Sequence, residues 1–370
     1  MRPLEGLLVL DFSTLLPGPL ASLMLAEAGA EVIKIERPGQ GDEMRAYEPK
    51  VDGDSVNFHL LNRGKRSLEI DLKRADAVAT LRPLIERADI LIEQFRPGVM
   101  ARFGLGADAV RAMNPQIIYC SITGWGQSGP KSGVAAHDLN YMAETGLLGL
   151  TGGADGAPVL PPILAADIAG GTLPAVINIL LALRQRDVTG EGTTLDIAMG
   201  ESILTFAYWG LGNGLCAGLW PTRGGDLVTG GSPRYNIYRT SDDRFVAAAP
   251  LEERFWAAFC EAIELEPEWR LAAAEPAAAT RAVAARIATH TAEQWTMRFA
   301  GRDVCCSIVV DLREALTDPH FRARGLVHPI ESAGTVLPTL PIPIAAAFRG
   351  PSESLGPAPA LGEYQLDGLQ

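Results

Sequence analysis

Two stretches of the chain set polar side chains among glycines and alanines, and the residue types are those of proton transfer and nucleophilic attack. In Ile163-Leu-Ala-Ala-Asp167-Ile-Ala-Gly170-Gly171-Thr172, Asp167 is the only charged residue between Asp155 and Arg184. A carboxylate among apolar side chains costs several kcal/mol unless it is paired or functional. Asp167 therefore reads either as a catalytic carboxylate or as the N-cap of a helix starting there. The two readings are compatible, because donors at a helix N-terminus also stabilise a carboxylate. The other stretch, Thr123-Gly-Trp-Gly-Gln-Ser-Gly-Pro130, leads into Ala136-His137-Asp138-Leu139-Asn140-Tyr141. His137 reads as a base or as a packed side chain; Trp125 walls a pocket or packs a loop. A third feature is basic: Arg63-Gly-Lys65-Arg66-Ser-Leu-Glu-Ile-Asp-Leu-Lys73-Arg74 holds five positive and two negative residues in twelve positions. Such a string is a solvated face or a phosphate cradle, here with Arg37 and Arg96 near expected strand ends.

Alternating strand and helix patterns must position these groups. Leu7–Phe12 reads as a strand, then Pro17-Gly18-Pro19 breaks the pattern and a helical stretch runs through Ala30. A strand at Glu31–Ile35, a helix over 75–88, a strand at Ile90–Ile92, a helix over 107–113 and a strand at Ile117–Ser121 follow. Strands separated by helices of this length imply right-handed crossovers and an open, mostly parallel α/β sheet. Ligands of such sheets sit beyond the carboxyl ends of the strands, which here means just after Phe12, Ile35, Ile92 and Ser121. The first of these turns, Leu15-Leu16-Pro17-Gly18-Pro19, is no G-x-G-x-x-G, so a nicotinamide enzyme is not indicated. Further on, a glycine-rich break at Gly224-Gly225 and Gly230-Gly231 precedes a hairpin signal, Tyr235–Thr240, Ser241-Asp242-Asp243 and Arg244–Ala249. Antiparallel pairing after a parallel sheet suggests a second, smaller domain, with Ala-rich helical sequence to about Gly301. From Pro338 to Pro359 there are six prolines in 22 residues, too many for a helix or a central strand, so this tail reads as an extended arm.

Composition narrows the class. The 370 residues suggest two domains or one with an insertion. A net charge of −12 repels a nucleic-acid backbone. Residues 31–102 nevertheless hold 13 Lys+Arg and 13 Asp+Glu, so this stretch is neutral and compatible with a compact polyphosphate ligand. A 47% hydrophobic and 21% charged composition is that of a globular protein. The five cysteines, Cys120, Cys216, Cys260, Cys305 and Cys306, form no CxxC and cannot all pair, which points to a reducing compartment. No signal-peptide pattern opens the chain. Its longest central apolar stretch, Leu173–Leu183, spans 11 residues, where crossing a bilayer takes about 20. The expectation is a cytoplasmic protein with no membrane and no nucleic-acid partner. His59, His137, His290, His320 and His328 show no metal-binding spacing, so no metal is assigned.

Taken in order, these segments resemble the family III CoA-transferase superfamily (CaiB/BaiF type), and within it the α-methylacyl-CoA racemases. The carriers are Leu7–Pro19, Glu36-Arg37-Pro38-Gly39, Asn62–Lys73, Phe95-Arg-Pro-Gly-Val99, Gly124–Gly129, His137-Asp-Leu-Asn-Tyr141, Asp167-Ile-Ala-Gly-Gly171 and Gly230-Gly-Ser-Pro233. The resemblance covers nearly the whole chain, most weakly after about residue 265. It implies a large CoA-binding domain with a Rossmann-like open parallel sheet (1–224), a smaller α+β domain (225–325), and a Pro-rich arm returning to the large domain (326–370). It further implies an interlocked homodimer acting on an acyl-CoA thioester in lipid metabolism, coenzyme A being part of the substrate so that no separate cofactor is needed. By the same resemblance, Arg37, Lys73, Arg96 and Arg102 are candidate phosphate or adenine contacts. Asp167 matches the superfamily's nucleophilic aspartate, His137 matches the histidine that the racemases add, and Glu252 would orient His137, from the neighbouring protomer.

Three functions follow from this resemblance. One is racemisation of 2-methylacyl-CoA thioesters by two bases, His137 and Asp167. Another is CoA transfer through an Asp167 mixed anhydride and aspartyl thioester, with His137 a polar contact. The third is a non-catalytic CoA-thioester binding protein. Two segments differ from the racemase pattern. Leu251-Glu252-Glu253-Arg254-Phe255 stands where Ile-Glu-Pro-Gln-Phe is usual, and Arg234 stands where an aromatic is usual, in a position suited to a polar acyl end.

Overall fold

Apolar runs between helices become buried strands here, and the chain order of those strands creates the crevice that the site uses. The computed structural model describes residues 2–153, 156–271, 275–325, 329–332, 335–350 and 355–366; His328 and Pro351 lie outside them. Packing divides the chain into two units, Met1–Thr145 with Pro162–Phe206 and Arg324–Gln370, and Gly146–Pro161 with Ala207–Ala323.

In the first unit, strand β1 (Leu8–Phe12) is buried at every position, as a strand covered by helices on both faces must be. Helix α1 (Pro17–Glu27) follows, with proline in its first turn, where a missing N–H costs nothing. The sheet is completed by β2 (Glu31–Glu36), β3 (Arg66–Glu69), β4 (Ile90–Glu93), β5 (Ile118–Thr123) and β6 (Thr193–Ala198). The spatial order is β3-β2-β1-β4-β5-β6, and every pairing is parallel. This is the doubly wound order in which successive crossovers run first one way and then the other, opening a crevice beyond the carboxyl ends of the two central strands. Those strands are β1 and β4, so the segments 13–17 and 94–97 border the crevice.

Helices α2 (Val56–Asn62), α3 (Ala77–Ile85), α4 (Val99–Arg102) and α5 (Ala107–Met113) connect the strands. Leu81, Leu84 and Ile85 of α3 and Val110 of α5 pack with Leu10, Phe12, Ile33, Leu91 and Tyr119 on one face of the sheet. Helix α6 (Asp138–Glu144) and the long α7 (Leu173–Thr189) complete the unit. With the π-helical turn before it, α7 forms a 24-residue run, long and apolar enough to cross a membrane by length and composition, and half of its apolar 18-residue window is buried in the protein's own packing. The helix thus extends well beyond the 11-residue apolar stretch read from sequence.

The basic string is divided: Arg63 and Lys65 are buried against acidic partners, Arg66 and Arg74 pair near the surface, and Lys73 lines a cavity. The strand β3 runs through it, and its first cations are spent internally. Arg63 is buried against Glu27. Lys65 is buried with its ammonium 3.2 Å from Asp11 and donating to Pro19 O (2.9 Å) and Asn62 Oδ1 (2.8 Å). Arg66 pairs with Glu31 at 3.0 Å and Arg74 with Asp76 at 2.7 Å, both near the surface. Lys73, near the end of the string, lines a cavity. Beneath α1 the cluster continues through Lys34, which sits 2.9 Å from Asp42 and donates to Ser13 O at 2.8 Å. Burial works against ionisation of Asp11, but Lys34 and Lys65 overcome it and hold the carboxyl far below the usual range. Burial, then the neighbouring Lys34, pushes Lys65 down to about 8.

The Pro-rich segment runs against the same unit. Pro357 O accepts from Gly64 N (3.0 Å), Pro359 O from Arg45 (3.1 Å), and Tyr364 N donates to Ser67 O (2.8 Å). The hairpin of Pro329–Ser332 and Thr335–Pro338 just before it carried no readable sequence signal.

The second unit holds an antiparallel sheet of β7 (Asn236–Arg239), β8 (Phe245–Ala248) and β9 (Cys306–Ile308), with β8 in the middle. Asp243 takes the left-handed turn of the β7–β8 hairpin (φ 61°), a conformation that Asp tolerates. Helices α8 (Glu253–Ala262), α9 (Pro276–Ile287) and α10 (Ala292–Phe299) bury Trp256, Phe259, Val283, Trp295 and Phe299 against it. All five cysteines are free thiols.

Candidate active site

Asp167 lies on a π-helical turn, Ala166–Thr172, that runs directly into α7. Such turns widen a helix locally and recur at functional sites. Gly170 permits this one: a Cβ there would lie 2.5 Å from Met199 O. Thr172 anchors the turn by donating to Pro17 O at 2.8 Å. The expected N-cap role of Asp167 is not what the structure shows. The cap comes from Asp138, whose Oδ1 accepts from Ala166 N (2.6 Å) and Asp167 N (3.0 Å). The helix begins before Asp167, so its side chain is released from capping and faces a cavity.

That cavity, of about 360 Å³, is also lined by His137, Asn140, Tyr141, Trp125 and Arg96. His137 occupies the N-cap position of α6 and its backbone N–H donates to Asn140 Oδ1 at 3.0 Å. Tyr141 Oη donates to Ala136 O (2.9 Å), which fixes the residue before the histidine. Trp125 does both things asked of it: it walls the cavity and packs edge-on against Tyr141, ring centroids 5.2 Å apart. Burial, then the charge of Asp138, raises the Asp167 carboxyl to about 6, with His137 opposing the shift. The same burial and the two carboxylates push Tyr141 up to about 12. Asp167 can thus carry a proton near neutral pH in a cavity that the His137 imidazole also lines, an arrangement suited to proton abstraction and return.

A second cavity of about 280 Å³ opens beyond β1 and β2 and is lined by Arg37 and Lys73 with Ile70, Leu72, Phe95 and Phe103. Arg37 is half-exposed, donating to Gly41 O at 3.1 Å and lying 3.3 Å from Glu43. Cations beside an apolar, aromatic wall suit a nucleotide's phosphates and base. Phe95 lines both cavities. The first unit therefore brings His137, Asp167 and Arg96 to one cavity and Arg37 and Lys73 to the other. Arg102 is exposed on α4 and lines neither. Glu252 belongs to the second unit, exposed at the N-cap position of α8.

Arg234 does not stand free to meet a polar acyl end. Its guanidinium lies 2.7 Å from Glu253, donates to Leu251 O (3.2 Å) and covers the Trp256 ring at 5.0 Å. The two departures from the racemase pattern thus pair with each other. Asp138 is the functional residue that sequence reading missed. It adjoins His137 in the same motif, but its target is 29 positions away. Among the described residues no group of His, Cys, Asp and Glu is arranged to hold a metal ion.

Comparison with known proteins agrees with this architecture. The model of the CoA-transferase family III matches residues 4–365. The chain is 35% identical over 374 residues to the α-methylacyl-CoA racemase of Mus musculus, covering 99% of this chain and 92% of that protein. It is 32% identical over 383 residues to the succinate–glutarate CoA-transferase of Agrobacterium fabrum, covering 99% and 95%. Among solved structures, a CAIB/BAIF family protein from Brucella suis superposes with a TM-score of 0.81 at 29% identity, covering 98% of this chain and 97% of the other. A family match from one end of the chain to the other, on the fold and cavity just described, means that this protein belongs to CoA-transferase family III.

Proposed function

We propose that the protein is a racemase that interconverts (R)- and (S)-2-methylacyl-CoA thioesters. The observation that carries this reading is that His137 and Asp167 line one cavity, with the carboxyl raised to about 6. Arg37 and Lys73 hold the nucleotide in the adjoining cavity, and the thioester reaches past Phe95 to the pair. Neutral His137 takes the C2 proton of one epimer: the C–H bond breaks, its electrons move into the enolate, and an N–H bond forms. Protonated Asp167 then returns its proton to the opposite face of C2, leaving a carboxylate and an imidazolium. The reverse direction exchanges the roles, so each turnover leaves the pair swapped. Enolate formation also needs donors at the thioester oxygen, and Arg96 is the cation lining this cavity. Glu252, from a partner protomer, orients His137. The homodimer this requires is supported by α7, whose Ile177, Leu180, Leu181 and Val188 are exposed apolar side chains. Light scattering should give twice the 39.4 kDa chain mass.

The test is deuterium incorporation at C2 when a 2-methylacyl-CoA is incubated in deuterated water. Protein that binds coenzyme A yet exchanges no C2 proton on several chain lengths is not a racemase. A second reading, CoA transfer with Asp167 as nucleophile, is favoured by relatives that bear CoA-transferase names at nearly the same identity. His137→Ala separates the two: it abolishes exchange in a racemase and leaves a transferase largely active, whereas Asp167→Ala impairs both.

A further inference from the structure

Beneath the two cavities lies a carboxyl that the mechanism does not use. Glu93 ends β4 and is buried, 4% exposed. In the sheet it is the register partner of Ser121 on β5, and Ser121 is the partner of Asp196 on β6. Register partners on parallel strands point to the same face, so Glu93, Ser121 and Asp196 form one row across the carboxyl edge of the sheet. Each end of the row holds a loop. Glu93 Oε2 accepts from Phe95 N at 2.8 Å, and Ser121 hydrogen-bonds to the same carboxyl. Asp196 accepts from Gln127 N through both oxygens, at 3.1 and 2.9 Å. The loop held by Glu93 supplies Gln94, Phe95 and Arg96 to the cavity of His137 and Asp167, and Gln94 also accepts from Gly18 N at 3.0 Å. The loop held by Asp196 supplies Trp125 to that cavity.

We propose that Glu93, in its neutral form and together with Ser121 and Asp196, is a proton-dependent positioning residue that keeps both loops in place around the thioester cavity. It touches neither cavity itself and acts through the Phe95 amide and through the row. The inference rests on the reading of that cavity as the acyl-CoA site, but the loops' own order can be measured without substrate.

The surroundings explain the proton dependence. On the β1 side the register neighbour of Glu93 is Phe12, and among the described residues no cation balances it. The titratable groups coupled to it are Asp196 on β6 and Tyr119 and Cys120 on β5. Of the helices on this face of the sheet, α3, α4 and α5 carry Arg82, Arg102 and Asp108 exposed, and Arg111 donates to Gly192 O at 3.2 Å. Burial, then the charge of Asp196, raises the Glu93 carboxyl to about 7. Ionisation places an unbalanced charge on the buried Glu93 carboxyl, in the row that ends at the solvent-exposed Asp196. The two carboxylates then part or water enters, and the loops loosen.

The experiment compares wild type with Glu93→Gln, which keeps the shape and an acceptor for Phe95 N but never ionises, and with Glu93→Leu, which keeps the bulk and removes the acceptor. Amide hydrogen exchange, corrected for the intrinsic pH effect, is followed in peptides covering 94–97 and 124–129 at about pH 6 and about pH 8.5, without ligand. Wild type is expected to lose protection in both loops on going to the higher pH, about fivefold or more, while Glu93→Gln stays flat. Glu93→Leu is expected to show low protection in 94–97 at both pH values and to raise KM for the acyl-CoA more than it lowers kcat. Wild-type protection that does not change with pH, or a Glu93→Gln profile that follows wild type, overturns the proposal. If the loops respond as stated while the protein neither binds coenzyme A nor turns over, the positioning role stands and the acyl-CoA reading fails.

Discussion

Asp11 and Asp167 are both carboxylates withdrawn from solvent in the first unit, and their proton affinities move in opposite directions. Asp11 is completely buried, yet two lysine ammonium groups and two serine hydroxyls surround it, and it stays ionised far below the usual range. Asp167 is less buried, has another carboxylate beside it and only a histidine to oppose the shift, and it rises to about 6. Burial by itself therefore does not decide whether a carboxyl serves structure or chemistry; the sign of its neighbours does. A paired carboxylate is locked in one protonation state and can only hold structure. One left beside a like charge can change state near neutral pH.

That contrast can be broken at either end. The largest effect is expected from Asp11→Asn, which leaves Lys34 and Lys65 without their common counter-charge. Removing one partner of a buried ionic cluster costs about 3–5 kcal/mol, to be read as a lower denaturant midpoint with unchanged slope. A variant as stable as wild type would mean that the cluster does not depend on this charge.

Asp167→Asn should do the reverse to stability and remove activity. Loss of an acid–base group lowers C2 proton exchange by about 10²–10⁴-fold. A carboxyl whose folded pKa is raised favours the folded state most below its unfolded value, and that contribution is lost as pH rises from about 3.8 through about 6. At pH 7 wild type bears the cost of an ionised Asp167, so Asp167→Asn should be more stable there by on the order of 1 kcal/mol. Near pH 4 the two should melt together. Asp11, depressed rather than raised, contributes stability that is present above its unfolded value and disappears as pH falls below about 4. Thermal melts over the acid range separate the two carboxyls by the direction of their slopes.

The smallest effect concerns the second unit. Arg234 and Glu253 form an ion pair open to solvent on the Glu253 side, and a double-mutant cycle should give a coupling of about 0.5–1 kcal/mol. A coupling near zero would mean that the stack of Arg234 on Trp256, not the pair, holds this segment.

The sequence by itself determined the alternation of strands and helices in the first unit, the hairpin of the second, and the motifs that carry the family. Each of these is written in neighbouring residues: apolar runs with periods of 2 or 3.6, glycine and proline breaks, and short polar strings such as Ala136–Tyr141. The strands β3 and β6 escaped that reading because they are edge strands with mixed polar and apolar residues, exposed on at least one side. Tertiary structure alone decided which charges are free to act. Arg63 and Lys65 look like ligand-binding cations until Glu27 and Asp11, 36 and 54 positions away, are brought against them. Asp167 looks like its own helix cap until Asp138 takes that place. Glu93 looks like the polar end of a strand until Ser121 and Asp196 line up beside it. Proton affinity and pairing depend on groups within a few ångströms in space, which here come from distant points in the chain, so they exist only once the sheet has set its strand order and register.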